Sequence, residues 1–226
     1  VLPPAAAAGT GVVAPVGGVP PTHPGSGPVL GLRLGQRLNL PACPIDARGD
    51  QELQQSLRSR DAAPFRFEAS CRFTPDALEG RSRLFAQRLA NVTADPLPPR
   101  VDFALVAVAT DQCPDWVLAA GSCIAGVTLQ NDRIIGVSFL TGDASRQNDI
   151  ARSLSQQYAS GPSVQGAPVC QDPTLGAVLS VKHVWEQAGL RVTYFPAGGF
   201  TCQQGRVLVE TSAMNTIVAP SASVVP

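Results

Sequence analysis

The chain has 226 residues, and its 17 basic and 17 acidic side chains cancel to a formal net charge of zero. That balance, with no block of five like charges, removes the long-range attraction on which nucleic-acid and anionic-membrane binding depend, so neither partner class is expected. An apolar share of 44% is ample for a core, yet no run of 18 apolar residues exists to span a membrane.

Lysine occurs once, at Lys182, against sixteen arginines, a skew that points to a GC-rich bacterial genome. The six cysteines, Cys43, Cys71, Cys113, Cys123, Cys170 and Cys202, form an even set without a C-x-x-C pair. That arithmetic favours three disulfides in an oxidising compartment, periplasmic or extracellular, over metal or redox chemistry; six buried free thiols are the alternative. Of the 15 possible connectivities, sequential pairing (Cys43–Cys71, Cys113–Cys123, Cys170–Cys202) is expected, because it closes each loop within one structural unit. The first residues lack the basic region of a signal peptide, so an exported chain would already be processed.

Residues 1–28 contain seven prolines and six glycines but no Asp, Glu, Lys or Arg, and read as an extended polyproline tether. The body, 29–211, has a possible division at 99/100. It opens with Leu32, Leu34, Leu38 and Leu40 in period-2 alternation across Gly35, the pattern of a half-buried strand that Pro41 stops. Asp50 offers an N-cap to a short helix carrying Leu53 and Leu57, and Phe65-Arg66-Phe67 returns to strand alternation. Thr74-Pro75 starts a second helix through Leu78, Leu84, Phe85 and Leu89, with Gly80 as a possible break.

Residues 101–108 read as a strand with Val101, Phe103 and Leu105 on one face, although Val106 and Val108 break the alternation. Residues 123–129 and 134–139 form a hairpin. Only an odd-length loop such as Asn131-Asp132-Arg133 pairs Val127 and Leu129 with Val137 and Ile135 on one face. A helix over 147–158 follows, capped by Asp143 or Ser145, with Ile150, Leu154 and Tyr158 on one stripe and Gly161-Pro162 as its stop. Strands are expected at 181–186, 190–195 and 206–211; for 174–188 a helix competes, because Val178, Val181, Val184 and Trp185 also fit helical spacing. The expected architecture is α+β: an antiparallel sheet with one or two helices packed on one face, stapled by disulfides. The tail 212–226 is uncharged, and its β-branched residues Thr216, Ile217 and Val218 are candidates to add a strand to a neighbour's sheet edge, or to complete the chain's own.

The stretch from Ile134 to Gly142, then Gln147 and the residues from Leu154 to Tyr158, then Trp185 and Val192-Thr193-Tyr194, resembles small bacterial envelope proteins in which a helix precedes a Trp-bearing strand. The opening Gly31-Leu32-Arg33-Leu34-Gly35 and Leu38-Asn39-Leu40-Pro41-Ala42-Cys43-Pro44 is similar to the start of exported proteins of that kind. Architecturally this resembles the BamE and β-lactamase-inhibitor type of α+β module, which implies a binding role and supplies no catalytic residue.

Only two histidines exist, so a nucleophile–His system must use His183, since His23 lies in the tether. His183 alternates with Val181 and Trp185 on one strand face, the setting of a hydrogen-bonded structural residue. Paired carboxylates beside aromatics, Asp115 with Trp116 and Glu186 with Trp185, offer a weak glycosidase alternative. Asn91-Val92-Thr93 is a formal glycosylation sequon that a bacterial chain would carry by chance. Cys113 and Cys123 would close a loop carrying Asp115 and Trp116, a common kind of binding element; Trp116 folded back onto the sheet is the competing view. The sequence therefore points to a non-catalytic secreted or periplasmic subunit of an envelope or extracellular assembly, working through a protein partner or self-association without a cofactor. An inhibitor or ligand-binding module acting on a secreted hydrolase is the second reading, and a hydrolase using His183 or the carboxylates the third.

Overall fold

The computed structural model describes residues 27–44, 66–74, 81–92, 96–117, 123–158, 161–172, 176–187, 189–197, 202 and 204–217. Most of the tether, the Asp50–Leu53–Leu57 helix, the Pro75–Gly80 helix start and Val218 lie outside them. In chain order the elements are β1 (Cys71–Arg72), α1 (Arg81–Leu89), β2 (Val101–Ala107), β3 (Ile124–Gln130), β4 (Arg133–Asp143), α2 (Gln147–Gln157), β5 (Ser163–Asp172), β6 (Gly176–Gln187), β7 (Leu190–Phe195) and β8 (Gln204–Thr211). The strands form a single sheet in the order β1-β2-β3-β4-β8-β7-β6-β5, with every neighbouring pair antiparallel. Two meanders, β1 to β4 and β5 to β8, thus meet at the central β4–β8 pair, with α2 linking them. Among the described residues no helix is long and apolar enough to cross a membrane.

The α+β class and the disulfide-stapled antiparallel sheet are as the sequence implies, with Cys43–Cys71 and Cys113–Cys123 both formed. Cys202 is disulfide-bonded as well. The expectation that the helices share one face is corrected: they divide between the two faces of the sheet. Ile150 and Leu154 of α2, with Tyr158 just after it, pack with Ala104, Val106, Val127, Val137, Trp185 and Tyr194, whereas Ala86 of α1 and Ala90 just after it pack with Phe103, Leu105, Ala107 and Ile135. This two-sided burial explains why residues 101–108 escape strict alternation: the odd positions of β2 serve one core and the even positions the other.

α1 sits close to the sheet because Gly126 of β3 has no side chain. A Cβ there would stand 3.2 Å from Leu89 Cδ2 and 3.3 Å from the Ala86 carbonyl. The helix ends in a Schellman turn: Val92 N–H donates to the Gln87 carbonyl and Asn91 N–H to that of Arg88, with Asn91 at φ +56°. The sequon asparagine thus has a structural role as the residue most tolerant of that conformation after glycine. Of the apolar residues expected along this helix, Leu89 is buried and Leu84 is 58% exposed, and Ala86 is buried beside Leu89.

Four further expectations are corrected. The β3–β4 loop is the two-residue Asn131-Asp132, both at positive φ, with Gln130 paired to Arg133. The odd residue that facial parity requires is placed in a bulge: Leu129 pairs with Ile134, Thr128 with Gly136, and Ile135 turns to the α1 face. Residues 32–40 are not a strand. They turn at Gly35 (φ +81°) and clip onto the bulge, Gly35 N–H donating to the Ile134 carbonyl and Ile134 N–H to that of Gln36. Arg66 and Phe67 are likewise irregular, and α2 takes Arg146 as its N-cap, preceded by a 3₁₀ turn, in place of Asp143 or Ser145. The competing 174–188 segment is strand β6, and β5 beside it is a strand the periodicity did not reveal.

Candidate binding cleft

Residues 113–117 are shaped by a disulfide and a turn. Val117 N–H donates to the Pro114 carbonyl at 2.8 Å, and Gly142 N–H of β4 donates to the Trp116 carbonyl at 2.8 Å, so the Trp116 backbone is tied to the sheet. Its indole is half-buried, 6.0 Å from the Phe139 ring at a tilt of 46°. Asp115 beside it is exposed.

Opposite this wall, Val29 and Leu32 exchange backbone hydrogen bonds of 2.8 and 2.9 Å around Leu30 and Gly31, at φ +51° and +76°. This is a two-residue turn with left-handed backbone at both central positions. Gly31 suits its place twice, since a Cβ would run into the Gln112 side chain. Leu30 does not suit its own: a left-handed leucine costs about 1 to 2 kcal/mol, yet the side chain is 8% exposed and packed in the core.

Between the two walls lies a cleft of about 380 Å³ floored by Phe139, Leu154 and Tyr158, with Pro28 and Pro114 at its sides and the exposed amides of Gln112 and Gln157 at its rim. Among the described residues, no charged side chain lines it. The size and the apolar lining with a few polar groups are those of a small-ligand or peptide-side-chain site. Two other depressions differ in chemistry. One, about 660 Å³, gathers Arg37, Arg83 and Arg100 but also Asp102 and Asp132, with Arg83 paired to Asp102 at 3.3 Å. The other, about 320 Å³, contains Glu186 and Arg191 as a 3.7 Å ion pair. The first keeps one arginine in excess of its carboxylates, and the charges of the second compensate each other.

His183 lies away from the cleft residues, stacked with Tyr194 (centroids 5.9 Å) and Trp185 (6.2 Å). The hydrogen bond expected of it is not found at Nδ1, which is buried without a partner among the described residues; burial lowers its pKa. Trp185 donates Nε1–H to Ser155 Oγ of α2 at 3.3 Å, which locks the helix over the sheet. Glu186 and Asp115 belong to different regions, so the sequence-adjacent carboxylate–tryptophan pairs do not form one site. Thr216 ends a 3₁₀ turn, and Ile217 is 1% exposed inside the chain's own core with Met214. Sequence reasoning found Trp116 but missed the opposite wall, because Leu32 reads as the start of a strand and Pro28 as tether.

Burial pushes the Tyr158 hydroxyl up to about 12, and that of Tyr194 likewise to about 12, with the Thr141 side chain opposing the latter shift. These are the chain's two tyrosines. Alkaline titration followed by phenolate absorbance should therefore show almost no ionisation at about pH 10 in the folded protein and a full two-tyrosine step on unfolding. With both pKa values raised on folding, the associated stability is intact below pH 10 and is lost as pH rises through 12. A phenolate step near pH 10 in the native protein would contradict the burial of the cleft floor.

No family model, curated protein or solved structure matches this chain.

Proposed function

We propose that the chain is a non-catalytic binding protein of the bacterial periplasm or cell exterior, a subunit of an envelope or extracellular assembly that takes an uncharged apolar part of a protein partner into the cleft beside Trp116. The observation that carries this reading is the cleft itself: apolar, uncharged, and walled on one side by an aromatic on a disulfide-closed segment. Half-buried tryptophan in such a recess is the residue type that dominates binding energetics. The disulfides support an oxidising compartment. The aromatic stacking of His183 supports a structural role for the one histidine of the body.

The test compares immobilised wild-type, Trp116→Ala and His183→Ala proteins against native envelope extract, followed by affinity measurement on the retained partner. Trp116→Ala should weaken that affinity about thirtyfold, the effect of losing a contact of roughly 2 kcal/mol, measured at a temperature where the variant is folded, because the indole also packs on Phe139. His183→Ala should retain the partner. A Trp116→Ala protein that binds as wild type would overturn the reading.

A further inference from the structure

We infer that the occupant of the cleft is the proline-rich N-terminal stretch of a second copy of this chain, so that two copies exchange arms through facing clefts. The inference rests on the binding reading above and names the partner segment. Its first support is chemical. Aromatic-walled, uncharged grooves with amide donors at the rim suit extended proline-bearing peptide: the proline rings lie against Trp116, Tyr158 and Phe139, and the Gln112 and Gln157 amides can donate to peptide carbonyls. Residues 1–28 supply that chemistry, with seven prolines, several valines and alanines, and no Asp, Glu, Lys or Arg. Neither partner would have to bury a charge.

The second support is positional. The stretch joins the described structure at Pro28, Val29 and Leu30, which themselves form a wall of the cleft and are pinned by the Val29–Leu32 turn. An arm therefore departs from the mouth of the site. Two copies related by a two-fold axis, clefts facing, each receive the other's arm over a short path, and the exchange closes as a dimer without leaving a free site. The strained Leu30 fits this arrangement, since the turn it sits in sets where the arm leaves.

The experiment is sedimentation of the full chain across a concentration series. The wild type should rise from 23.5 kDa towards twice that mass. Two full-length variants keep the test independent of folding. Gln157→Lys puts a charge at the mouth while suiting the C-terminal turn of α2, and Pro20→Ser/Pro21→Ser/Pro24→Ser alters only the arm. Both should stay at the monomer mass with unchanged melting, and an excess of synthetic peptide spanning residues 1–27 should dissociate the wild-type dimer and shift Trp116 emission. A wild type that is monomeric throughout, or a dimer that survives in either variant, overturns arm exchange. If the wild type is monomeric while Trp116→Ala still loses its envelope partner, arm exchange fails and the binding reading stands.

Discussion

Reduction of the native protein is expected to remove roughly 6 kcal/mol of stability from the two bridges Cys43–Cys71 and Cys113–Cys123, because chain entropy values loops of these lengths at roughly 3.5 and 2.7 kcal/mol. Domains of this size hold about 5 to 15 kcal/mol in total, so the reduced chain should be close to unfolding at ambient temperature. Alanine pairs at each bridge measure these two parts; urea midpoints with and without reductant add the contribution of the bridge at Cys202, so full reduction costs at least their sum. The two pairs should also differ in kind. Cys43–Cys71 ties the segment at Ala42 to β1 and so closes that edge of the sheet, whereas Cys113–Cys123 holds the Trp116 wall against the strand that follows. Removing the second should shift Trp116 emission in the folded state, and removing the first should not. Equal midpoints for oxidised and reduced protein would show that the crosslinks constrain nothing the fold does not already fix.

What the sequence made legible follows the number of buried faces. α2 was readable because one face is wet: Ile150, Leu154 and Tyr158 stand out against charged and amide neighbours. β2 was readable only in part, since both of its faces are covered and alternation carries no information there. β5 escaped because Gly166, Pro168 and a register shift between Ala167 and Cys170 erase its pattern, as suits an outermost strand. The hairpin shows the opposite case. Parity in the sequence asked for an odd-length loop with Leu129 opposite Ile135; Val127 does pair with Val137, but the loop has two residues, Leu129 pairs with Ile134, and the odd residue goes into a bulge that cross-strand packing decides. The site divides the same way. Trp116 announces itself through its flanking cysteines, whereas Leu30 becomes part of the cleft only through a left-handed turn that leucine does not advertise.

Replacing Arg206 with methionine should cost about 3 kcal/mol, the low end of what breaking a buried charge arrangement costs, because part of this side chain remains exposed. Arg206 joins three parts of the molecule. Its Nη1 donates to the Arg88 carbonyl at the end of α1 at 3.3 Å, its guanidinium carbon lies 4.9 Å from the Phe195 ring centroid, and it faces Glu210, which is 7% exposed. Burial lowers its pKa to about 10, with Glu210 opposing, so the charge persists at neutral pH. Burial raises the pKa of Glu210, while Arg191 and Arg206 pull it down. Because the folded value lies above the ordinary 4.5, the stability linked to Glu210 is complete below that pH and is lost as pH rises through the folded value. Glu210→Gln should therefore gain on the wild type as pH rises from about 4 to about 7. Arg206→Met removes an attractive charge, pushes the Glu210 carboxyl further up, and should steepen the same loss. The double variant must then cost less than the sum of the two singles, since each single strands the other's partner. Chemical denaturation of the four proteins at both pH values supplies the cycle. Additive costs would show that Arg206 acts only on α1 and Phe195 and that Glu210 titrates independently of it.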